Sequence, residues 1–363
     1  MITLDGSHQE GGGALVRTAL ALSALTGKEF RVTNIRSGRK EPGLKAQHLT
    51  AIKALKEICD AETNEIQLGS TELWFKPGKV RKGIYNIEIG TAGSITLLLQ
   101  ALILPSLFAS GKVTLNITGG TCGKWQASVD YLQNLLIPYL HRFVEKIKLK
   151  ILKRGYYPKG GGEISLEISP RFKLKDFNGL DSLLEELQLK SPKIELLEQG
   201  VLEQIRGVVN VSSELEDKDV GERIKNSAAG SLKDYEVPIN IRVEYAKSAS
   251  IGGEILLWAI FSKSGKVDYD NPVMLGGESL VEKGKSSEDI GKEAAERLRK
   301  QIENGSAVDH HLADQLIQFM SLLPGSKIKG EVSKHAHTNI YVAEKFLEIG
   351  FKVEDGIVSV EKV

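Results

Sequence analysis

One stretch decides the fold class: residues 11–35 read GGGALVRTALALSALTGKEFRVTNI. After the glycines, apolar residues recur at the spacing of a helix, at Leu15, Ala19, Leu22 and Leu25. Gly27 predicts the end of that helix, and the alternation over 30–35 predicts a strand. A second helix is expected over 47–58. The stretch therefore indicates an α/β unit in which a glycine-rich turn introduces an apolar helix.

The same order recurs twice further along the chain, which indicates an internal repeat. The second copy has a turn at 90–94, a helix ending near residue 110, a strand at 113–117, a helix at 128–143 and a basic strand at 146–152. The third copy begins near residue 309 with a helix, followed by a strand at 327–332 and a helix at 339–347.

Residues 183–285 break this rhythm and indicate a separate small α/β unit. Strands are expected at 201–211, 239–245 and 254–262, and helices at 217–229 and 287–302. A unit of roughly 100 residues can bury a core of its own. We therefore predict a large domain of residues 1–182 and 286–363, interrupted by a small domain of residues 183–285 whose last helix extends to about residue 304.

Composition excludes several classes of protein. The 363 residues include 48 Lys and Arg against 47 Asp and Glu, and the net charge of +1 indicates no general affinity for polyanions. Cys59 and Cys122 are too few for a disulfide scaffold or a four-cysteine zinc site, which favours the reducing cytoplasm. The most apolar stretch, 95–108, is too short to span a bilayer, and no secretory signal is expected, so a membrane partner is not predicted.

Three common cofactor motifs are missing from the sequence. Ser279 stands where a P-loop ending at 284–286 requires glycine, no G-x-G-x-x-G follows a predicted strand, and no H-E-x-x-H occurs. A phosphate-binding site in this protein would have to be built differently.

The segment 333–339, SKHAHTN, lies where a predicted strand gives way to a helix. A helix N-terminus favours an anion, and a histidine there could attack a phosphorus centre to form a phosphoramidate. A surface turn with two incidental histidines fits the same spacing, and from spacing alone it is the favoured interpretation.

Basic residues are concentrated in the loop 35–48, at Arg36, Arg39, Lys40, Lys45 and His48. The planar fork of arginine suits phosphate oxygens, and a loop containing glycine and proline can hold several such forks rigidly. A phosphate-binding loop and a solvated basic loop are equally compatible with this pattern.

Two acidic positions flank predicted helix starts. Glu10 precedes the glycines and Arg17 follows seven residues later; Glu10 could hold a divalent metal or cap the helix, and capping is the simpler interpretation. Residues 309–315, DHHLADQ, mix carboxylates, imidazoles and an amide, so metal ligation, nucleotide contact and capping all stay open there.

These segments together resemble the RNA 3′-terminal phosphate cyclase family over essentially the whole chain. The most specific block is 154–164, RGYYPKGGGEI, which is similar to the family signature of Arg or His, Gly, two residues, Pro, one residue and three glycines. The other blocks, in the same order as in the family, are 5–17, 35–48, 90–100, 312–315 and 335–339.

The resemblance implies an ATP-dependent ligase that converts an RNA 3′-terminal phosphate into a 2′,3′-cyclic phosphate and releases AMP and diphosphate. In that family a histidine attacks the α-phosphorus of ATP, AMP passes to the RNA 3′-phosphate, and the adjacent 2′-OH displaces AMP. A phosphate monoester dianion is a poor electrophile until one oxygen becomes a leaving group, so this order is chemically reasonable. Mg²⁺ or Mn²⁺ would neutralise charge on the nucleotide phosphates.

The resemblance also implies roles for residues, position by position. His335, three residues before Thr338, matches the nucleophile, and His337 is then a bystander. The ATP-binding positions are Gln100, His311, Leu312, Ala313, Asp314 and Gln315. The pocket for phosphates and the RNA end comprises Arg17, Arg36, Arg39 and His48, and Glu10 matches a metal position.

For the fold, the resemblance implies an α/β (α+β) large domain of three βαβαββ-like units, interrupted by a thioredoxin-like insert. The insert could clamp RNA, mediate formation of a homodimer or only buttress the core. Two departures alter the expected ATP site: residues 122–128 replace a common Ala-Pro pair, and His311 stands where tyrosine is frequent.

A second function is compatible with the same fold, that of a non-catalytic RNA-binding scaffold in ribosome assembly. Such paralogues lack the nucleophilic histidine, so the presence of His335 with Arg36 and Arg39 favours the enzyme. The expected partners are RNA with a 3′-phosphate end and ATP.

Overall fold

A computed structural model describes residues 1–9, 12–263 and 265–363. The first part of the chain contains β1 (Ile2–Asp5), α1 (Ala14–Thr26), β2 (Phe30–Thr33), α2 (Ala46–Cys59), β3 (Glu62–Thr63), β4 (Leu73–Lys76), β5 (Gly83–Glu88), α3 (Ile95–Ser106), β6 (Val113–Gly119), α4 (Val129–Tyr131), α5 (Ile137–Leu140), β7 (Val144–Lys153) and β8 (Gly162–Pro170). The middle contains α6 (Leu180–Lys190), β9 (Glu195–Leu196), β10 (Val201–Ser212), α7 (Val220–Leu232), β11 (Ile239–Ala246), β12 (Gly253–Ser262), β13 (Val273–Leu280) and α8 (Ser287–Glu303). The chain ends with α9 (His310–Met320), β14 (Lys327–Lys329), α10 (Lys334–Phe346), β15 (Ile349–Glu354) and β16 (Ile357–Lys362).

Three of the four-stranded sheets share one topology. Their strand orders are β1-β2-β4-β3, β5-β6-β8-β7 and β9-β14-β16-β15. In each sheet the first two strands are parallel and the other pairings are antiparallel. The in-register partners Leu4 with Val32 and Ile87 with Ile117 carry apolar side chains into the core. The predicted α/β class with repeated units is therefore confirmed.

The fourth sheet has the order β11-β10-β12-β13 and lies between the first strand and the first helix of the third unit. Helices α7 and α8 pack against it and against each other. Strand pairing joins β9 to β14 of the third unit. The domain boundaries at 183 and 285 remain a prediction, and we propose limits near 197 and 304 because these limits keep every sheet whole.

Helix α1 lies at the centre of the core. Its residues from Ala14 to Leu25 are all buried, because α2, α3 and α10 pack around it. The helix ends at Gly27, whose φ of 72° is the left-handed conformation that glycine adopts at little cost. A buried helix that carries polar side chains must hold them against partners, and Arg17 and Thr18 are such residues.

The structure corrects some element predictions. The run 128–143 is not one regular helix: a π-helical stretch, Leu132–Leu136, separates α4 from α5, where Pro138 has no N–H to continue the α-helical bonds. Strand β13 was not predicted, because Gly276 and Gly277 interrupt its apolar pattern. Helix α10 begins five residues earlier than expected, at Lys334, so that it includes His335.

Within the part of the chain that the structure describes, no helix combines the length and apolar character that crossing a membrane requires. Cys59 and Cys122 are both buried and neither forms a disulfide.

Candidate functional site

His335 lies in the first turn of α10. The helix is capped by Ser333, whose Oγ accepts hydrogen bonds from the backbone N–H groups of His335, at 2.9 Å, and Ala336, at 3.1 Å. The imidazole is partly exposed and sits at the positive end of the helix dipole. The predicted strand-to-helix junction is confirmed, and it places this histidine where an anion is stabilised.

Asp314, on the neighbouring helix α9, joins this helix start. Its Oδ1 accepts a hydrogen bond of 2.6 Å from Ser333 Oγ. Burial raises the pKa of Asp314 to about 6, against the lowering effects of the Ser333 hydroxyl and the nearby His311. The Asp314 carboxyl group therefore exchanges its proton at a pH closer to neutral than an ordinary aspartate does.

A chain of hydrogen bonds connects α9 and α10 with α1 and α3. Asn339 donates to the backbone oxygen of Asp314, at 2.9 Å, and accepts from the Thr18 hydroxyl, at 2.7 Å. Next to Thr18, the Arg17 guanidinium donates to Gln100 Oε1 at 2.8 Å. The fold thus brings Arg17 and Gln100, which are 83 positions apart, together beside the partly buried contact between Thr18 and the helix that carries His335.

His48 occupies the start of α2, a position like that of His335 in α10. Its Nδ1 accepts the backbone N–H of Lys45 at 2.9 Å, so the neutral ring carries its proton on Nε2. That Nε2 is buried and has no hydrogen-bond partner among the described residues. Both Nε2 and Arg17 Nη1 lie under 3.0 Å from the point where a Cβ at Gly13 would stand. Glycine is needed there because the Cβ of any other residue would collide with the His48 ring.

Burial and the surrounding charges keep the His48 ring neutral. Burial, and then the charges of Arg17, Arg36 and Lys45, lower the pKa of His48 to about 3. The ring is therefore a neutral N–H donor among cations, which is an arrangement suited to an anion.

The loop that supplies Arg36 and Arg39 is tied back on itself. Gly43 N–H donates to the carbonyl of Ile35 at 2.8 Å, and the Arg39 N–H donates to the carbonyl of Arg36 at 3.0 Å. Arg36 is partly buried, whereas Arg39 is exposed. Glu10, the predicted metal position, lies outside the described residues. Among residues 1–9, 12–263 and 265–363, no group of three His, Cys, Asp or Glu side chains is arranged to hold a metal ion.

At the start of α9 the sequence left metal ligation, nucleotide contact and capping open. The structure shows that Asp309 caps the helix. Its Oδ1 accepts from the Tyr131 hydroxyl, at 2.6 Å, and the Leu312 N–H, at 3.0 Å. Its Oδ2 accepts from the Gly276 N–H at 2.8 Å. Both oxygens are thus used in joining α9 to the second unit and to β13.

His311 faces the insert. Its Nε2 lies 3.4 Å from Glu278 Oε1, and its ring packs edge-on against Tyr131. Burial disfavours the charged ring, but the Glu278 hydrogen bond and the charges of Asp309 and Asp314 outweigh it and raise the pKa of His311. Of the other predicted ATP positions on α9, the side chains of Leu312 and Ala313 lie in the core, and Gln315 Nε2 donates to the His311 carbonyl at 3.2 Å.

The signature block 154–164 performs a structural task that the sequence did not reveal. Arg154, 5% exposed, forms two hydrogen bonds with the fully buried carboxylate of Asp130, one of them at 3.1 Å, and a third with Glu244 of β11 at 2.6 Å. Tyr156 donates to Asn210 of β10 at 2.9 Å. The block therefore joins the second unit to the fourth sheet.

These features define a class of α/β protein in which repeated units place basic side chains, an uncharged N–H donor and a histidine at helix N-termini, as anion-binding sites require. A family model described as RNA 3′-terminal phosphate cyclase matches residues 8–353, and the chain belongs to that family.

Archaeal relatives are similar over nearly their full lengths. Proteins named RNA 3′-terminal phosphate cyclase from Methanopyrus kandleri, Methanosarcina mazei and Archaeoglobus fulgidus are 39%, 41% and 39% identical to this chain. These matches cover 97%, 98% and 96% of this chain and 95%, 97% and 96% of the respective relatives. The resemblance that the sequence motifs indicated is confirmed.

Proposed function

We propose that the protein converts an RNA 3′-terminal phosphate into a 2′,3′-cyclic phosphate with ATP as co-substrate. A nitrogen of His335 attacks the α-phosphorus of ATP, forming a P–N bond as the bond to diphosphate breaks. An oxygen of the RNA 3′-phosphate then attacks the same phosphorus and displaces the imidazole. Finally the 2′-oxygen attacks the RNA phosphorus, its proton is lost, and AMP leaves.

The observation that carries this proposal is the fixed position of His335 at a helix start beside Asp314. Ser333 caps the helix and donates to that carboxylate, so the backbone that bears the imidazole is held from two sides. A nucleophile that is positioned before substrate binds loses less entropy on reaching the transition state. The helix N-terminus stabilises negative charge that develops on the phosphoryl oxygens.

The cluster of Arg17 and His48 around Gly13 supports binding of the phosphate groups. Arg17 supplies charge and His48 supplies an N–H donor whose buried nitrogen has no partner within the described residues. Because that nitrogen carries the proton, it would donate to a phosphate oxygen and would have to lose the proton before it could ligate a metal. We therefore propose that His48 binds a phosphate oxygen and is not a metal ligand.

We keep Mg²⁺ or Mn²⁺ as a requirement of the proposed reaction. The described residues offer no three-ligand set, and the metal position matched by Glu10 is not described. A magnesium ion that bridges nucleotide phosphates commonly needs only one or two carboxylates from the protein.

The test uses purified protein incubated with Mg²⁺ and ATP labelled at the α-phosphate, without RNA, and then denatured. We expect acid-labile label on the wild type and on His337→Ala, and none on His335→Ala. His337 lies in the same helical turn and serves as the matched control. Label that persists on His335→Ala would contradict the assignment of the nucleophile.

A second outcome would change the proposed class of function. If folded wild-type protein takes no label, the non-catalytic RNA-binding scaffold becomes the better explanation. Binding of RNA with and without a 3′-phosphate then distinguishes the two, because only the cyclase requires that phosphate. The salt dependence of RNA binding would not distinguish the two functions, since both involve phosphate contacts.

A further inference from the structure

An open groove of about 840 Å³ lies between β7 of the second unit and β11 of the inserted unit. Both strands are outermost in their sheets, so each has one edge without a paired strand among the described residues. Residues 149–154 line one wall of this β7–β11 groove, and residues 242 and 244–247 line the other. The chemistry proposed above assigns the groove no role.

The β7–β11 groove is positively charged. Five cations line it: Lys150, Lys153, Arg154, Arg242 and Lys247. The two carboxylates in the lining are engaged, since Glu163 pairs with Lys153 at 3.6 Å and Glu244 accepts from two arginines, at 2.6 and 2.9 Å. The buried Asp130 balances the charge of Arg154. A surplus of positive charge remains, on the exposed side chains of Lys150 and Lys247, and it favours a polyanion.

The signature loop, residues 155–161, continues this surface. Its Tyr157 is 80% exposed, and Lys159 is also exposed. The Lys159 N–H donates to Ser250 Oγ at 3.1 Å, which holds the loop against the segment that follows β11. An exposed aromatic ring with cationic residues around it is the arrangement on which proteins stack the bases of single-stranded nucleic acid.

The same loop connects the groove with the proposed phosphate site. Gly160 lies against the glycine turn at 90–94, because a Cβ at this position would stand 2.6 Å from the Thr91 carbonyl oxygen. That turn leads directly into α3, whose Gln100 accepts the hydrogen bond from Arg17. The groove, the signature loop and the arginine that we place at the phosphates are therefore joined by one continuous series of contacts.

We infer that the β7–β11 groove and the signature loop bind the RNA strand upstream of its 3′-terminal nucleotide. Lys150 and Lys247 contact backbone phosphates, and the ring of Tyr157 stacks on a base. The inference rests on the proposed function, in which RNA is the substrate, and it gives the inserted unit a part in holding that substrate. Basic residues on an outermost strand also discourage pairing with other sheets, but that role requires neither the exposed ring nor a lysine on the facing wall.

The test measures binding of fluorescently labelled RNA to the full-length protein by anisotropy, without ATP. Two 3′-phosphorylated oligonucleotides are compared, one of about three nucleotides and one of about twelve, because only the longer one extends well beyond the terminal site. The groove variant combines Lys150→Ala with Lys247→Ala. Its matched control combines Lys146→Ala with Lys292→Ala, which changes the net charge equally at exposed positions outside the groove.

A second set of variants isolates the aromatic ring. Tyr157→Ala removes the ring and should weaken binding of the longer RNA by about tenfold, whereas Tyr157→Phe keeps a stacking surface and should bind like the wild type. Tyr269→Ala is the matched control, because Tyr269 is 92% exposed but lies between β12 and β13. Equal affinity of Tyr157→Ala and Tyr269→Ala for the longer RNA would overturn the stacking role.

We expect the groove variant to bind the longer RNA about tenfold more weakly than the wild type does, and the shorter RNA equally well. The slope of log Kd against log salt for the longer RNA should fall by about 1.4, the value for two lost phosphate contacts on a single strand. Unchanged affinity for the longer RNA would overturn the inference and leave the open edges to a strand added by another protein. Equal weakening for both RNAs would also overturn it, because the two lysines would then not act on the upstream strand.

Failure of this inference and failure of the proposed function give different results. If the wild type takes no label from ATP but the groove variant still loses affinity for the longer RNA, the proposed chemistry is overturned and the groove assignment stands. If the wild type is labelled and cyclises RNA, and the groove variant binds the longer RNA normally, the groove assignment is overturned and the proposed function stands.

Discussion

Ser333 Oγ lies 2.6 Å from Asp314 Oδ1, and this contact joins α9 to the helix start that carries His335. The same hydroxyl accepts the backbone N–H groups of His335 and Ala336. A single side chain thus caps α10, fixes its approach to α9 and orients the proposed nucleophile.

Ser333→Ala should therefore reduce both stability and adenylylation. Loss of an N-cap costs about 1 kcal/mol, and removing the donor from a partly buried carboxylate adds to that. Urea unfolding and the label assay measure the two effects. Ser333→Thr keeps the hydroxyl and should retain most of both properties. Unchanged adenylylation in Ser333→Ala would show that the cap does not position His335.

Asp314 should make stability depend on pH. Its folded pKa of about 6 lies above the ordinary 3.8, so its favourable contribution is complete below about pH 3.8 and is lost as the pH rises through 6. Asp314→Asn does not ionise and keeps an oxygen for Ser333. Relative to the wild type, the variant should gain up to about 3 kcal/mol in free energy of unfolding between about pH 4 and 7, reduced by solvent screening. If the free energies of unfolding of the wild type and the variant differ by the same amount at every pH in this range, the raised pKa of Asp314 is contradicted.

His48 should remain neutral, with its proton on Nε2, well below neutral pH. Burial and the neighbouring cations lower its pKa to about 3 from the ordinary 6.5. The unfolded chain takes up this proton first, so the group's contribution to stability is present above pH 6.5 and is lost as the pH falls toward 3. Long-range proton–nitrogen NMR spectra near pH 5 should show Nδ1 unprotonated. Protonation of both nitrogens near pH 6 would contradict this environment.

Arg154→Ala should be among the most destabilising substitutions in the chain. It leaves the fully buried carboxylate of Asp130 with only the more distant Arg242 guanidinium, at 3.9 Å, as an ion-pair partner, and breaking a buried pair in this way costs about 3–5 kcal/mol. The adjacent Lys153→Ala is the control, because the Lys153–Glu163 pair is exposed and should be worth at most about 1 kcal/mol. Similar urea midpoints for the two variants would show that the signature arginine does not hold the fourth sheet in place.

Changing Arg36 and Arg39 together to Ala should separate the two halves of the reaction. If this loop binds the RNA terminal phosphate, self-adenylylation should be close to wild type while cyclisation falls by about tenfold or more. The label assay and the conversion of a 3′-phosphorylated oligonucleotide are measured side by side. Equal loss in both assays would assign the arginines to the ATP step instead.

Local sequence patterns predicted most of the helices and strands, because each has its own apolar period and its own glycine or capping residue. The prediction was wrong where local chemistry conflicts with the period. Pro138 interrupts the helix at 128–143, and Gly276 and Gly277 conceal β13. The hidden strand is also the one that carries Glu278, so this residue was not found from the sequence.

By itself the sequence determined the repeated α/β units, the family and the identity of the polar residues at helix starts, since these depend on neighbours within a few positions. Only the tertiary structure decided which of these residues meet. Arg17 reaches Gln100, Ser333 reaches Asp314, and Glu278 reaches His311 across separate elements. The tertiary structure also decides the protonation of Asp314 and His48. Burial and surrounding charge shift the pKa of each group, and a residue is buried or meets these charges only when distant segments pack together.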